Sequence, residues 1–147
     1  MAIGEFDLEP ERGREPDWTR IADDLRAALV DPGSIRAHLA ARRDRYETFA
    51  RPTAARPADA RVLADNDATA AATLVEVRAA DGIGVLARIT DAIASQGVRV
   101  EQAYVSTLGH EVVDTFYLRD ANGKPLSEVG AEAVQDALRS ELGGLRD

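Results

Sequence analysis

Residues 73 to 142 change hydrophobic period several times, and each change marks an element. Thr73, Val75, Val77 and Ala79 fall on one side of an alternating run, and Leu74, Glu76 and Arg78 on the other. This two-residue period predicts a half-buried strand. Past Asp81-Gly82-Ile83-Gly84 the spacing lengthens: Leu86, Ile89 and Ile93, supported by Val85 and Ala92, form a helical stripe, and Gly97 stands where a left-handed residue would stop the helix. Val98 and Val100 then open a second strand in one phase, while Ala103 and Val105 continue it in the other. A one-residue slip moves side chains to the opposite face, so a bulge near Glu101-Gln102 is expected. Thr107-Leu108-Gly109-His110 is a connection to a third strand, Val112 to Leu118. Asp114 shares the face of Val112, Phe116 and Leu118. An acid there is either a partnered interface residue or a sign that the face is partly exposed. The run Asp120 to Pro125 predicts a turn; Ser127, Ala131, Val134, Ala137, Leu138 and Leu142 predict a last helix, ended by Gly143-Gly144.

Upstream, residues 1–16 are polar and aperiodic and read as a disordered tail or a cloning boundary. Residues 17–50 read as a helical hairpin. Asp17 caps a first helix whose stripe is Trp18, Ile21, Ala22, Leu25, Ala28 and Leu29; Asp31-Pro32-Gly33 ends it. Ser34 is the expected N-cap of a second helix, with a sparser stripe of Ile35, Leu39, Tyr46 and Phe49. Residues 51–60, with Pro52 and Pro57, read as a linker, and 61–147 as the final domain. Arg61 to Ala64 is a further short strand, followed by turn residues Asn66-Asp67.

The order after the linker is strand, helix, strand, strand, helix, preceded by one extra strand. A ferredoxin-like α+β sheet needs a fourth strand, yet only three residues follow Gly144. A strand entering the first one through a tight turn runs antiparallel to it, as the missing fourth would. Arg61 to Ala64 is therefore expected to fill that place.

Composition narrows the function. The chain has 147 residues and a net charge of −8, and residues 60–147 hold 14 acids against 8 bases. Nucleic-acid binding needs a concentrated positive face, and none is visible. No apolar run approaches the roughly 20 residues of a membrane span, and without cysteine there is neither disulfide nor thiolate site. The natural compartment is the cytoplasm. His38 and His110 are the only histidines, too few for a metal cluster; neither precedes Asp, and no serine sits in a G-x-S-x-G elbow. Neither catalysis nor a cofactor is expected of this chain alone.

The best candidate site is the Asp81-Gly82-Ile83-Gly84 turn. Glycines at 82 and 84 let a small ligand approach backbone. The helix start favours a carboxylate, and Asp81 suits an ammonium group. Together they fit the two ends of an amino acid. The plain alternative is that Asp81 merely caps the helix and the glycines make the turn.

Thr107-Leu108-Gly109-His110-Glu111-Val112-Val113-Asp114-Thr115-Phe116-Tyr117-Leu118, followed by Asp120-Ala121-Asn122-Gly123-Lys124, resembles the C-terminal ACT domain of bacterial PII-protein uridylyltransferase/uridylyl-removing enzymes. The resemblance covers roughly residues 17–142: Trp18 to Leu29 resembles the end of a preceding ACT domain, Ile35 to Phe49 its helical connector. It implies a βαββαβ module that senses glutamine, pairs with another ACT domain or a second copy, and regulates chemistry done by nucleotidyltransferase and HD domains not present here. The chain is then either a fragment or a stand-alone derivative. Where the family commonly reads D-R-P-G, this chain has Asp81-Gly82-Ile83-Gly84; Asp81 and Gly84 match, whereas Arg and Pro are lost. ACT ligands often lie between this turn and the second strand of a neighbouring domain, which adds Gln102 as a candidate.

Overall fold

A computed structural model describes residues 15–49 and 60–143, apart from the side chains of Pro32 and of 45–49. The expected N-terminal tail, most of the linker and the stop at Gly144 lie outside the described residues, as do the side chains of Tyr46 and Phe49. By contacts the chain divides into two compact units, Met1–Ala41 and Arg42–Asp147.

The first helix, α1 (Trp18–Val30), begins as expected: Asp17 is its N-cap and accepts the Arg20 N–H at 3.0 Å. The second, α2 (Pro32–Phe49), starts two residues before the expected cap. Asp31 takes the capping role instead of Ser34, its carboxylate accepting the Gly33 N–H at 3.0 Å and its carbonyl the Ser34 hydroxyl at 2.8 Å. Pro32 ends α1 yet opens α2, because a fixed φ and a missing N–H cost nothing at the first helical position. Much of the α1 stripe is solvent-facing, including Trp18, Leu25 and Leu29, while Ala28 is buried.

The second unit is an α+β domain of ferredoxin-like type. Its strands are β1 (Arg61–Asp65), β2 (Thr73–Ala80), β3 (Arg99–Tyr104), β4 (Thr107–Leu108) and β5 (Glu111–Arg119); its helices are α3 (Val85–Ser95) and α4 (Glu128–Gly143). The sheet runs β1-β2-β5-β3 with β4 against β5, all antiparallel. β1 pairs beside β2 from Arg61↔Arg78 to Asp65↔Leu74 and occupies the place of the missing fourth strand.

One sheet face carries the core. Val75, Val77, Ala79, Val112, Phe116 and Leu118 meet Val85, Ile89 and Ile93 of α3 and Val134, Leu138 and Leu142 of α4. The α3 stripe holds at Val85, Ile89, Ala92 and Ile93, all buried, whereas Leu86 is exposed. Because the helix begins at Val85, the i, i+4, i+7, i+8 set faces the sheet and Leu86 lies to one side.

The slip in β3 is present. Val100 pairs with Leu118 and Gln102 with Tyr117, leaving Glu101 as the extra residue. Val100 and Ala103, out of phase in sequence, thereby pair with Leu118 and Phe116 on the same face. Gly97 has φ +68°, the left-handed stop expected after α3.

Thr73 fastens the loops. Its hydroxyl donates to Asn66 Oδ1 at 2.6 Å and accepts the Leu126 N–H at 2.8 Å, joining the β1–β2 connection to the entry of α4. Arg139 of α4 donates to the Val62 carbonyl at 3.1 Å, which ties the helix to the replacement strand.

Candidate functional site

The alternation of β2 carries the chain to Ala80, which pairs with Glu111; the Asp81 N–H then donates to the His110 carbonyl at 2.9 Å. The turn is thus fastened to the β4–β5 hairpin. Gly84 is the N-cap of α3, with φ +81° and ψ +6°, a left-handed geometry that glycine adopts without the Cβ penalty. The Val85 N–H donates to the Gly82 carbonyl at 3.2 Å and the Arg88 N–H to the Gly84 carbonyl at 3.0 Å.

No side chain caps α3, and its first turn holds no acid. Asp81 is therefore not the helix cap, which removes the plain alternative for that residue. Its side chain is exposed, as is Gly82, while Ile83 and Gly84 are half-buried. The N-terminal N–H groups of a helix carry partial positive charge, so a cationic backbone end and an acidic side chain stand within one four-residue turn.

Sequence reasoning stopped short at Asp114. Its side chain is fully buried on the helix-covered face, opposite Val77. Oδ1 accepts the Ser106 N–H at 3.2 Å, while Oδ2 has no hydrogen-bond partner among the described residues. Burial pushes this carboxyl above its ordinary value, the Ser106 N–H pulls it partly back, and the negative charge of Asp81 adds to the rise. The signal was an acid in the apolar phase of β5. The face is not exposed there, and the carboxyl has a partner at Oδ1 only.

Gln102 lies elsewhere in the single chain. It follows the bulge and its Nε2 donates to the Tyr104 hydroxyl at 2.5 Å. It pairs with Tyr117, six residues along β5 from Glu111, or roughly 20 Å at strand spacing. The structure brings Asp81, Gly82, Ile83 and Gly84 together and leaves Gln102 apart. His110 contributes its carbonyl, and His38 is exposed on α2. Among the described residues no group of three or more His, Cys, Asp or Glu is placed to hold a metal, and no helix is long and apolar enough to cross a membrane.

An antiparallel β1-β2-β5-β3 sheet under two helices, with a glycine turn leading from strand to helix, defines a ferredoxin-like domain, an arrangement compatible with the ACT fold. No protein-family profile matches the chain. Comparison with curated proteins gives the closer relationship. The chain is 38% identical to the bifunctional uridylyltransferase/uridylyl-removing enzyme of Streptomyces coelicolor over 130 residues, 88% of this chain and 15% of that protein. Its likeness to the enzyme of the same name from Erythrobacter litoralis is 32% over 128 residues, 87% of the chain and 13% of the relative. To that from Rhodospirillum rubrum it is 34% over 83 residues. The chain is thus homologous to one region of the bifunctional uridylyltransferase/uridylyl-removing enzymes, and it spans only about a seventh of the first two.

Proposed function

We propose that this chain is the regulatory, amino-acid-sensing module of a PII uridylyltransferase-type protein, works in the cytoplasm, and takes L-glutamine as its ligand. The observation that carries this reading is the turn at Asp81–Gly84, where an uncapped helix start stands beside an exposed acid. A free amino acid presents both complementary charges. Its carboxylate suits the N–H groups after Gly84 and its ammonium suits Asp81. The uridylyl transfer and removal named for the relatives belong, on this reading, to the parts of those proteins this chain does not match, and the module is not catalytic by itself.

The partner is a second ACT-type domain or a second copy. β3 is an edge strand exposed along its whole length, with Val100 and Tyr104 open to solvent, and an unpaired edge is a template for strand addition. Gln102 would then serve a neighbouring domain's turn rather than its own.

Titration calorimetry with L-glutamine and a panel of other amino acids tests the reading. Binding at or below millimolar concentration, abolished by Asp81→Ala in a variant that keeps its circular dichroism, is the expected result. The absence of heat and of any melting shift across the panel overturns it. The β3 edge then favours the second reading, a ligand-free interaction domain, for which sedimentation would report self-association without any ligand.

A further inference from the structure

We propose that the helix-free face of the sheet binds a nucleoside phosphate, with the phosphate on Arg99 and Arg119 and the base against Tyr104 and Tyr117. This goes beyond the amino-acid reading and lies at the other end of β2 and β5 from Asp81. Cross-strand pairing places the residues. Arg99 pairs with Arg119, Gln102 with Tyr117 and Tyr104 with Thr115. Residues 115, 117 and 119 alternate with the buried Asp114, Phe116 and Leu118, so the whole set lies on the face away from the helices. Strand addition at the free edge of β3 leaves that face open.

Two like charges directly opposite one another repel, and at this corner the chain barely answers them. The Arg99 side chain is exposed and has no partner among the described residues. Arg119 Nε is buried without a hydrogen bond, and Glu101 stands 3.9 Å from Nη1, too far for one. The carboxylate of Asp120 is taken up by the Asn122 and Lys124 N–H groups of its own turn, each at 2.8 Å. The other such pair on this sheet, Arg61 opposite Arg78, differs: Arg78 Nε donates to Glu76 at 2.8 Å. Two unanswered guanidinium forks suit a phosphate, whose oxygens accept from both.

The residues beside them narrow the anion. Tyr117 is two residues from Arg119 along β5, or about 6.8 Å at strand spacing. Its ring meets that of Tyr104 edge-on, with centroids 6.2 Å apart and planes at 74°. Gln102, opposite Tyr117, holds the Tyr104 hydroxyl. Two rings nearly at right angles give a planar base one face to stack on and another to abut, and stacking on aromatic side chains is a general way for open sheets to hold bases. One sugar separates a base from its phosphate, as one strand step separates Tyr117 from Arg119. A small carboxylate or inorganic phosphate uses the arginines and leaves the tyrosines idle. A nucleic-acid strand needs a positive track, and beyond this corner the same face carries Glu76 and Glu111, in a chain of net charge −8.

The test is titration calorimetry of the full chain with AMP and UMP, beside adenosine, uridine and inorganic phosphate. Both nucleotides should bind at or below millimolar concentration, and the nucleosides and inorganic phosphate about tenfold or more weakly. Arg99→Gln and Tyr104→Ala, both at exposed positions, should each weaken nucleotide binding about tenfold, the scale of one charged hydrogen bond or one stacked base. Arg61→Gln removes the same charge from the same face and should bind as wild type does. Absence of nucleotide binding overturns the proposal. So does inorganic phosphate that binds as tightly as AMP, and so does an equal loss in Arg61→Gln, which marks attraction by charge alone. A single-stranded RNA that binds where mononucleotides do not makes the face a nucleic-acid surface and refutes the assignment as well. A measurement on unmodified protein guards against a variant that misfolds: the ring proton resonances of Tyr104 and Tyr117 should shift on saturation with AMP. Rings that stay in place while the nucleotide binds put its site elsewhere. Titration with L-glutamine is a separate measurement, and its failure leaves this proposal standing.

Discussion

Replacing Thr73 by Val tests whether one buried hydroxyl holds the two loops of the sheet's far end together. Valine keeps the volume and the β-branch, so the change removes chemistry rather than space. Thr73 is fully buried and both of its hydroxyl functions are used, toward Asn66 and from Leu126. Each bond contributes about 1 kcal/mol net, and leaving the buried Leu126 N–H without an acceptor costs about 1–3 kcal/mol on its own. Against this stands a gain of about 0.8 kcal/mol for a buried methyl in place of the hydroxyl. The expected loss is about 2–3 kcal/mol. Small domains unfold in urea with slopes of about 1–3 kcal/mol/M, so the midpoint should fall by about 0.7–3 M. Far-UV circular dichroism is the proper probe, because the single tryptophan lies on α1, outside the sheet. Asn66→Ala breaks one bond and keeps the acceptor for Leu126, and should cost about 1 kcal/mol. Hydrogen exchange at the Leu126 amide should accelerate in Thr73→Val and change little in Asn66→Ala. If Thr73→Val stays within about 0.5 kcal/mol of wild type, or if the two variants are equal, the hydroxyl is not the link described here.

Other expectations follow from single observations. The folded Asp114 carboxyl holds its proton to higher pH than in the unfolded chain, so its contribution to stability is complete below the ordinary value of 3.8 and is lost as pH rises through the raised one; ligand-free wild type should weaken relative to Asp114→Asn over that rise, as read by urea midpoints at several pH values, and parallel curves would contradict it. Arg88 Nε donates to Glu141 Oε1 at 2.7 Å, and its Nη2 donates to the Glu141 carbonyl, joining α3 to α4; Arg88→Ala should cost about 1 kcal/mol in chemical denaturation, and Arg88→Lys should not restore it because lysine lacks the fork. Gly109 has φ +67° with open space around its missing Cβ, so Gly109→Ala should cost about 1 kcal/mol by backbone strain alone, and Gly109→Asn should cost less in the same denaturation assay.

Legibility in the sequence tracked how strongly each residue was constrained. β2 is buried on one face and paired on both sides, so its alternation was unambiguous. The bulge was readable because the apolar residues Val100 and Ala103 stand at odd spacing, and both pair with positions on one face of β5. The replacement of the fourth strand by β1 followed from counting strands, a topological necessity rather than a local signal. Local chemistry misled at two places. Ser34 looked like a cap, but Asp31 caps the helix one turn earlier, through the Gly33 N–H, and Pro32 suits the first helical position. Leu86 looked like a core residue, but the start of α3 rotated Val85 inward. Within the candidate site the contiguous turn was visible, since its four residues lie in a row. Asp114 was noticed and not assigned, because its burial opposite Val77 exists only once β2 pairs with β5.

The way the turn is held bears on how it can respond. β1 pairs with β2 only as far as Arg78, so the replacement strand stops short of Asp81. The backbone attachment of Asp81 is instead to His110, in the tight connection between β4 and β5 that Gly109 makes possible. Ser106, immediately before β4, holds Asp114 and also accepts the Val113 N–H at 2.8 Å. The exposed acid and the buried one are therefore positioned by the same hairpin. The strand borrowed from upstream stands outside these contacts. Where the fourth strand comes from can thus vary without disturbing the site.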